Sequence, residues 1–238
     1  MKTIQLIAVL GVFAAASSAP ISARAADSDG VAVAIIYDTS GSMRDAVRDG
    51  AGKMSPKYVI ANRALESIAT RIQTFATNTA SGEPRNIQAG LFTFDGTDAK
   101  IAVKFGPFDA RAFHDWAQNF KNPNGTTPLG KTLKAAGQTV LNSGLTRKHV
   151  LIITDGENTS GPTPAAVMPQ LQRLAEEKQT SLSVHFVAFD VDAGVFSNVK
   201  KLGATVVGAA DETQLNQQLE FILAKKILLE EEEPPKKQ

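Results

Sequence analysis

The chain has 238 residues, 43% of them hydrophobic and 21% charged, and its 25 lysines and arginines against 24 aspartates and glutamates leave a formal net charge of +1. That is long enough for one well-buried domain of ordinary globular composition, and a balance so near neutral gives no electrostatic reason for a nucleic-acid partner. Cysteine is absent, which excludes disulfides, thiolate metal sites, cysteine nucleophiles and a lipid-modified N-terminal cysteine.

The first segment reads as a secretory signal peptide: Lys2, an apolar run from Ile4 to Ala16 broken only by Gln5, then small residues ending in Ala23-Arg24-Ala25. Cleavage is expected after Ala25. The run is shorter than the roughly 18 to 20 residues a bilayer-crossing helix needs, so the mature chain is expected to carry no transmembrane segment. Losing Lys2 and Arg24 leaves 23 basic residues against 24 acidic ones. Export without cysteine fits a periplasmic or secreted bacterial protein.

Val31 to Tyr37 is short, continuous and rich in valine and isoleucine, the pattern of a strand buried on both faces. A polar, glycine-containing segment, Asp45 to Ser55, follows. From Lys57 to Phe75 the residues Val59, Ala61, Leu65, Ile68, Ala69, Ile72 and Phe75 recur at helical spacing. Asn86 to Phe94 and Lys100 to Phe105 read as a hairpin around Asp95-Gly96-Thr97-Asp98. Helices are predicted over Asp109 to Asn119 and Leu129 to Leu141, and His149 to Thr154 is a second buried strand. A helix from Pro164 to Lys178, strands at Ser183 to Phe189 and Thr205 to Val207, and a helix from Thr213 to Leu229 complete the order. Strands alternating with helices imply crossover connections. The fold class expected is therefore α/β, a doubly wound and mostly parallel sheet with one antiparallel edge strand and helices on both faces. Residues 30–230 are expected to form one unit, and residues 231–238 a charged tail that frays from the last helix.

Three oxygen-rich clusters fall where such a sheet binds ligands, beyond the carboxyl ends of its strands. Asp38, Ser40 and Ser42 follow the first buried strand. Thr127 lies in the loop Asn122 to Leu129, just before Pro128, and Asp155 closes the strand HVLIIT. Each has a structural alternative: a serine and glycine turn, a helix cap at Thr127, and a turn-forming Asp-Gly at Asp155. Their conjunction on one sheet edge is the functional signal.

Taken together, Asp38-x-Ser40-x-Ser42, Thr127 in GTTPL and Asp155 in TDGE resemble the von Willebrand factor type A domains, whose metal-ion-dependent adhesion site has these motifs in this order. The similarity runs from about Val31 to Leu223 and takes in the strand ending FTFD and the helix opening KYVIANRAL. The resemblance implies a Mg²⁺ or Mn²⁺ ion ligated directly by serine and threonine hydroxyls, with at least one aspartate acting through water. It also implies a partner protein whose acidic side chain completes the coordination. Either Thr126 or Thr127 can supply the threonine hydroxyl; Thr127 is preferred because the family places it directly before a Pro-Leu helix start.

The chemistry of the residues agrees, because hydroxyls and carboxylates are hard oxygen ligands suited to Mg²⁺. Zinc is disfavoured, since His114, His149 and His185 are scattered in sequence and read as core or edge residues. Asp190 and Asp192 read as solvated turn residues near the rim. Arg44, Arg48 and Lys53 border the site and could steer an acidic ligand.

Three function classes follow: a non-catalytic, metal-dependent protein-binding module, an envelope-complex subunit in which the metal is a fold staple, and a phosphate-transfer enzyme. Against the enzyme, Ser40 stands where the second aspartate of an aspartyl-phosphate motif belongs. No Gly-x-Ser-x-Gly elbow occurs either.

Overall fold

The computed structural model describes residues 27–78 and 83–228. The signal peptide expected over residues 1–25 and the tail over 231–238 lie outside the described residues. Strand β1 (Ser28–Tyr37) leads to a short antiparallel ribbon, β2 (Ala46–Arg48) and β3 (Met54–Pro56), then helix α1 (Lys57–Thr77), β4 (Ile87–Asp95) and β5 (Asp98–Pro107). Next come α2 (Ala110–Asn119), α3 (Leu129–Leu141), β6 (Leu145–Thr154), α4 (Pro164–Glu177), β7 (Ser183–Phe189), α5 (Ser197–Lys201), β8 (Thr205–Ala209) and α6 (Glu212–Ile222).

Six strands form one sheet in the order β5-β4-β1-β6-β7-β8. All neighbours are parallel except β4 and β5, which pair antiparallel around the tight Gly96-Thr97 turn. The mostly parallel α/β sheet with an antiparallel edge strand is thus as expected. Val31 to Tyr37 are each at most 1% exposed, because α1, α2 and α6 cover one face of the sheet and α3 and α4 the other. A strand covered twice has no solvent side, which is why its sequence shows no alternation. β5, at the edge, has no fully buried residue.

Chain order places β4 on one side of β1 and β6 on the other, so the strand order reverses at β1. A crevice opens at such a point, because the helices flanking it leave toward opposite faces. Asp38 stands at the mouth of that crevice.

Three element predictions need correction. The segment Asp45 to Ser55 contains the β2–β3 ribbon, closed by Asp49, whose side chain accepts from Ala51 N, Lys53 N and Ser55 Oγ at 3.0, 2.9 and 2.8 Å. Polar side chains make that turn, so no hydrophobic period announced it. In α1, Ile60 rather than Val59 enters the core, since Ile60, Ala64, Ile68 and Ala76 share a stripe with Ala61, Leu65, Ala69 and Ile72. The closing helix ends at Ile222 and continues as a widened turn over Leu223–Ile227; Leu229, its expected end, lies outside the described residues.

The histidines also differ from their expected scatter. His149 and His185 are both buried, as a core reading requires, but they meet across β6 and β7 with His149 Nδ1 3.2 Å from His185 Nε2. The parallel register sets Leu151 beside His185, so residues 36 apart in sequence share a face.

Candidate metal centre

Each sequence-predicted residue reaches the carboxyl edge of β1 and β6 by a traceable route. Asp38 continues β1, its N donating to Ile153 O at 3.0 Å. Gly41–Arg44 then form a 3₁₀ turn pinned by Met43, which is fully buried. The turn throws Ser40 and Ser42 back across the strand end. Ser40 N donates to Asp38 Oδ1 at 2.8 Å, the two serine Oγ atoms are 3.1 Å apart, and Ser42 Oγ donates to Asp155 Oδ1 at 2.9 Å. Asp38, Ser40, Ser42 and Asp155 therefore form one continuous hydrogen-bonded arc.

The loop carrying Thr127 is tied to the same edge by its backbone. Asn124 N donates to Thr39 O at 2.8 Å and Gly41 N to Gly125 O at 3.2 Å. From the other side, Thr127 N donates to Thr159 Oγ1 at 2.8 Å and Thr159 N to Thr127 O at 3.0 Å. The cap reading of Thr127 does not hold: α3 starts at Leu129, Pro128 is its N-cap residue, and no side chain caps it. Thr127 is 4% exposed, and among the described residues no hydrogen bond engages its hydroxyl. Thr126 differs, because it is exposed and its Oγ1 donates to Gly96 O at 2.7 Å.

Asp38 is completely buried with one oxygen on Ser40 N and the other accepting from Thr154 Oγ1 at 2.5 Å. Burial, reinforced by the charge of Asp155, raises its pKa to about 6 against the opposing pull of its Ser40 and Thr154 hydrogen bonds. A carboxylate so strained by desolvation is one that gains from a nearby cation. Behind it, Tyr37 packs edge-on against Trp116 and Phe120, with centroids 5.0 and 5.7 Å apart, so the α1–α2 side of the centre is an aromatic wall.

One participant, Lys57, was not predicted, and another, Asp190, was read as a solvated turn residue near the rim. Lys57, the first residue of α1, sends its buried Nζ to Asp155 Oδ2 at 3.1 Å and Asp190 Oδ2 at 3.0 Å. Burial pulls its pKa down, but the carboxylates of Asp190 and Asp155 outweigh that and hold the ammonium above its ordinary value. Asp190 is therefore not the free turn residue expected, although 40% of its side chain stays exposed. Asp192 is a turn residue, capping Gly194 N at 2.8 Å. A sequence signal for Lys57 did exist: a lysine at a helix start opposes the helix dipole, which asks for a nearby acid.

Among the described residues, no group of three or more histidine, aspartate or glutamate side chains is placed to hold a metal ion. An ion at this edge would have to draw on hydroxyls together with the two aspartates. The donor set, two carboxylates with serine and threonine hydroxyls, fits a hard divalent ion.

This chain belongs to the von Willebrand factor type A domain family, whose model matches residues 32–220. It is 25% identical over 224 residues to YwmD of Bacillus subtilis (strain 168), described as uncharacterized, covering 93% of this chain and 94% of that one. Among solved structures it resembles the PilB minor pilin from Streptococcus sanguinis, with a TM-score of 0.60 and 16% identity over 82% of this chain. It also resembles proximal thread matrix protein 1 from the mussel byssus, solved with a zinc-occupied MIDAS motif, at a TM-score of 0.57 and 14% identity over 83% of this chain. The chain spans 60% and 48% of those two structures, and at such identities they support the fold alone. Among the described residues, no helix is long and apolar enough to cross a membrane.

Proposed function

We propose that this is an exported, non-catalytic protein-binding module that holds Mg²⁺ or Mn²⁺ through Asp38, Ser40, Ser42, Thr127 and Asp155. The observation that carries the reading is the arc of Asp38, Ser40, Ser42 and Asp155 at the switch point, with Thr127 buried in the loop tied by its backbone to the same sheet edge. Protein hydrogen bonds already serve Thr126, which favours Thr127 as the donor. When bound, the ion supplies an electrophilic position that accepts a carboxylate from a partner protein. Two aspartates and three neutral hydroxyls barely neutralise a divalent charge, so that position stays attractive to an acid. Arg44, exposed on the same turn as Ser42, adds a positive rim that steers such a ligand.

Calorimetric titration of the mature chain with MgCl₂ and MnCl₂ tests the ligand set. One ion per chain is expected, with Asp38→Ala and Thr127→Ala each weakening uptake by about 10- to 100-fold and Thr126→Ala changing it by less than about threefold. Pulldown from envelope extract in Mg²⁺ and in chelator tests the partner. A partner held equally well in chelator would refute the metal bridge. A large Mg²⁺-dependent rise in melting temperature with no metal-dependent partner would instead favour a fold staple.

A further inference from the structure

Lys57 sits where two separate costs oppose it. At the first position of α1 its charge faces the positive end of the helix dipole. Its side chain is also only 6% exposed, and a buried ammonium is tolerated only beside close carboxylates. Asp155 and Asp190 supply them at 3.1 and 3.0 Å. Asp190 does so from a left-handed backbone, φ 54°, a conformation that aspartate tolerates better than most residues but not without cost. The ion pair joins the ends of β6 and β7 to the start of α1, on the rim of the candidate metal centre.

The charges in this cluster are simple to assign. Asp38, Asp155 and Asp190, when ionised, bring three negative charges and Lys57 one positive, a net −2 that a single divalent cation balances. Without the lysine, the same cluster loaded with the ion would remain at −1. An acidic ligand approaching it would then meet a negative field.

Resting on the metal-site reading above, we propose that Lys57 is a resident counter-cation of the centre, which trades metal affinity for acceptance of an acidic ligand. With the site empty, the ammonium holds Asp155. With the ion bound, it remains a positive neighbour that lowers metal affinity by like-charge repulsion in a partly buried site. In return, the loaded cluster is neutral and takes a carboxylate without net repulsion. The metal and the acidic ligand are thereby coupled: the site holds the ion weakly alone and better with the ligand.

The sign of the effect separates this from a structural tie. Manganese affinity is read from the free-ion paramagnetic resonance signal for the wild type, Lys57→Met, Lys57→Arg, Asp190→Asn and the double variant Lys57→Met/Asp190→Asn. Expected are binding about tenfold tighter for Lys57→Met, about tenfold weaker for Asp190→Asn, and near wild type for Lys57→Arg and the double variant, whose cluster again carries −2. Acetate, followed by its displacement of water from the manganese-loaded protein in proton relaxivity, is expected to bind Lys57→Met about tenfold more weakly. A wild type that binds manganese while Lys57→Met binds it equally or less tightly overturns the proposal and leaves the metal site standing. A wild type that binds no metal overturns both. If Lys57→Met does not fold, Asp190→Asn decides alone: unchanged or tighter manganese binding overturns the proposal.

Discussion

Acidifying the metal-free protein from pH 7 to pH 4.5 is expected to cost about 3 kcal/mol of stability, a result that follows from His149 and His185. Burial, then the charges of His185 and Arg147, lower the His149 pKa to about 3; burial, then Lys226, lowers that of His185 to about 4. Both rings are therefore neutral in the fold across this range, whereas in the unfolded chain they protonate below about 6.5. Proton uptake then favours the unfolded state. The loss begins as pH falls below about 6.5 and is complete only once pH has passed the folded values.

At pH 4.5 each histidine contributes about 2.7 kcal/mol to that loss, roughly 5 kcal/mol for the pair. Asp38 acts in the opposite direction. Its folded pKa of about 6 lies above the unfolded value, so the fold binds its proton first and regains about 2 kcal/mol between pH 6 and 4.5. The histidines win, and for a domain of this size the net corresponds to a melting temperature lower by about 6 to 12 °C. Melts in chelator at both pH values, on the wild type and on His149→Gln/His185→Gln, provide the check. The double variant is expected to lose the drop and, with Asp38 left to titrate, to gain about 2 kcal/mol on acidification; if it keeps the full drop, the histidine pair is not its source.

Gly130→Ala is expected to lower stability by about 3 kcal/mol and to weaken metal uptake with it. Gly130 lies in the first turn of α3, where an added Cβ would stand 2.0 Å from Pro162 O and 2.8 Å from the carbonyl carbons of Pro162 and Thr163. Those atoms are backbone and cannot rotate away. The segment from Asp155 to Thr163 would have to retreat from α3, but it is tied there by Gly130 N on Asn158 Oδ1 at 3.0 Å and by the two Thr127–Thr159 bonds. Relief of the clash therefore breaks the contacts that hold Thr127 against the loop following Asp155. A melting temperature within about 2 °C of wild type, with unchanged manganese affinity, would contradict this account. At Gly137 the three atoms nearest the intruding Cβ belong to the Leu171 side chain, which can rotate, so Gly137→Ala is a useful milder control.

Much of the sheet was legible because its signals are local. A run such as VAVAIIY, short, continuous and rich in valine and isoleucine, reads as a strand covered on both faces, and the residue that ends it then stands at a sheet edge. Asp38, Ser40 and Ser42 follow from that placement, since two residues of spacing within one tight turn keep them together. Asp155 follows from the same logic at the end of β6. The β2–β3 ribbon was hidden because side-chain hydrogen bonds from Asp49, not a hydrophobic period, build it. The engaged state of Thr126 and the open hydroxyl of Thr127 were equally hidden, because neighbouring threonines look alike until Gly96 and Thr159 arrive beside them.

By itself the sequence determined the order of the six sheet strands and of the long helices, the α/β class and the sheet edge at which Asp38, Ser40, Ser42 and Asp155 collect. Periodicity and chain neighbours carry this information, and neither depends on distant contacts. Only the tertiary structure decided that Asp155 and Asp190 share Lys57 and that His149 stacks on His185. Those pairings join residues 98 and 36 positions apart, and their energies exist only once strand order and register have brought the groups within a few ångströms, out of water.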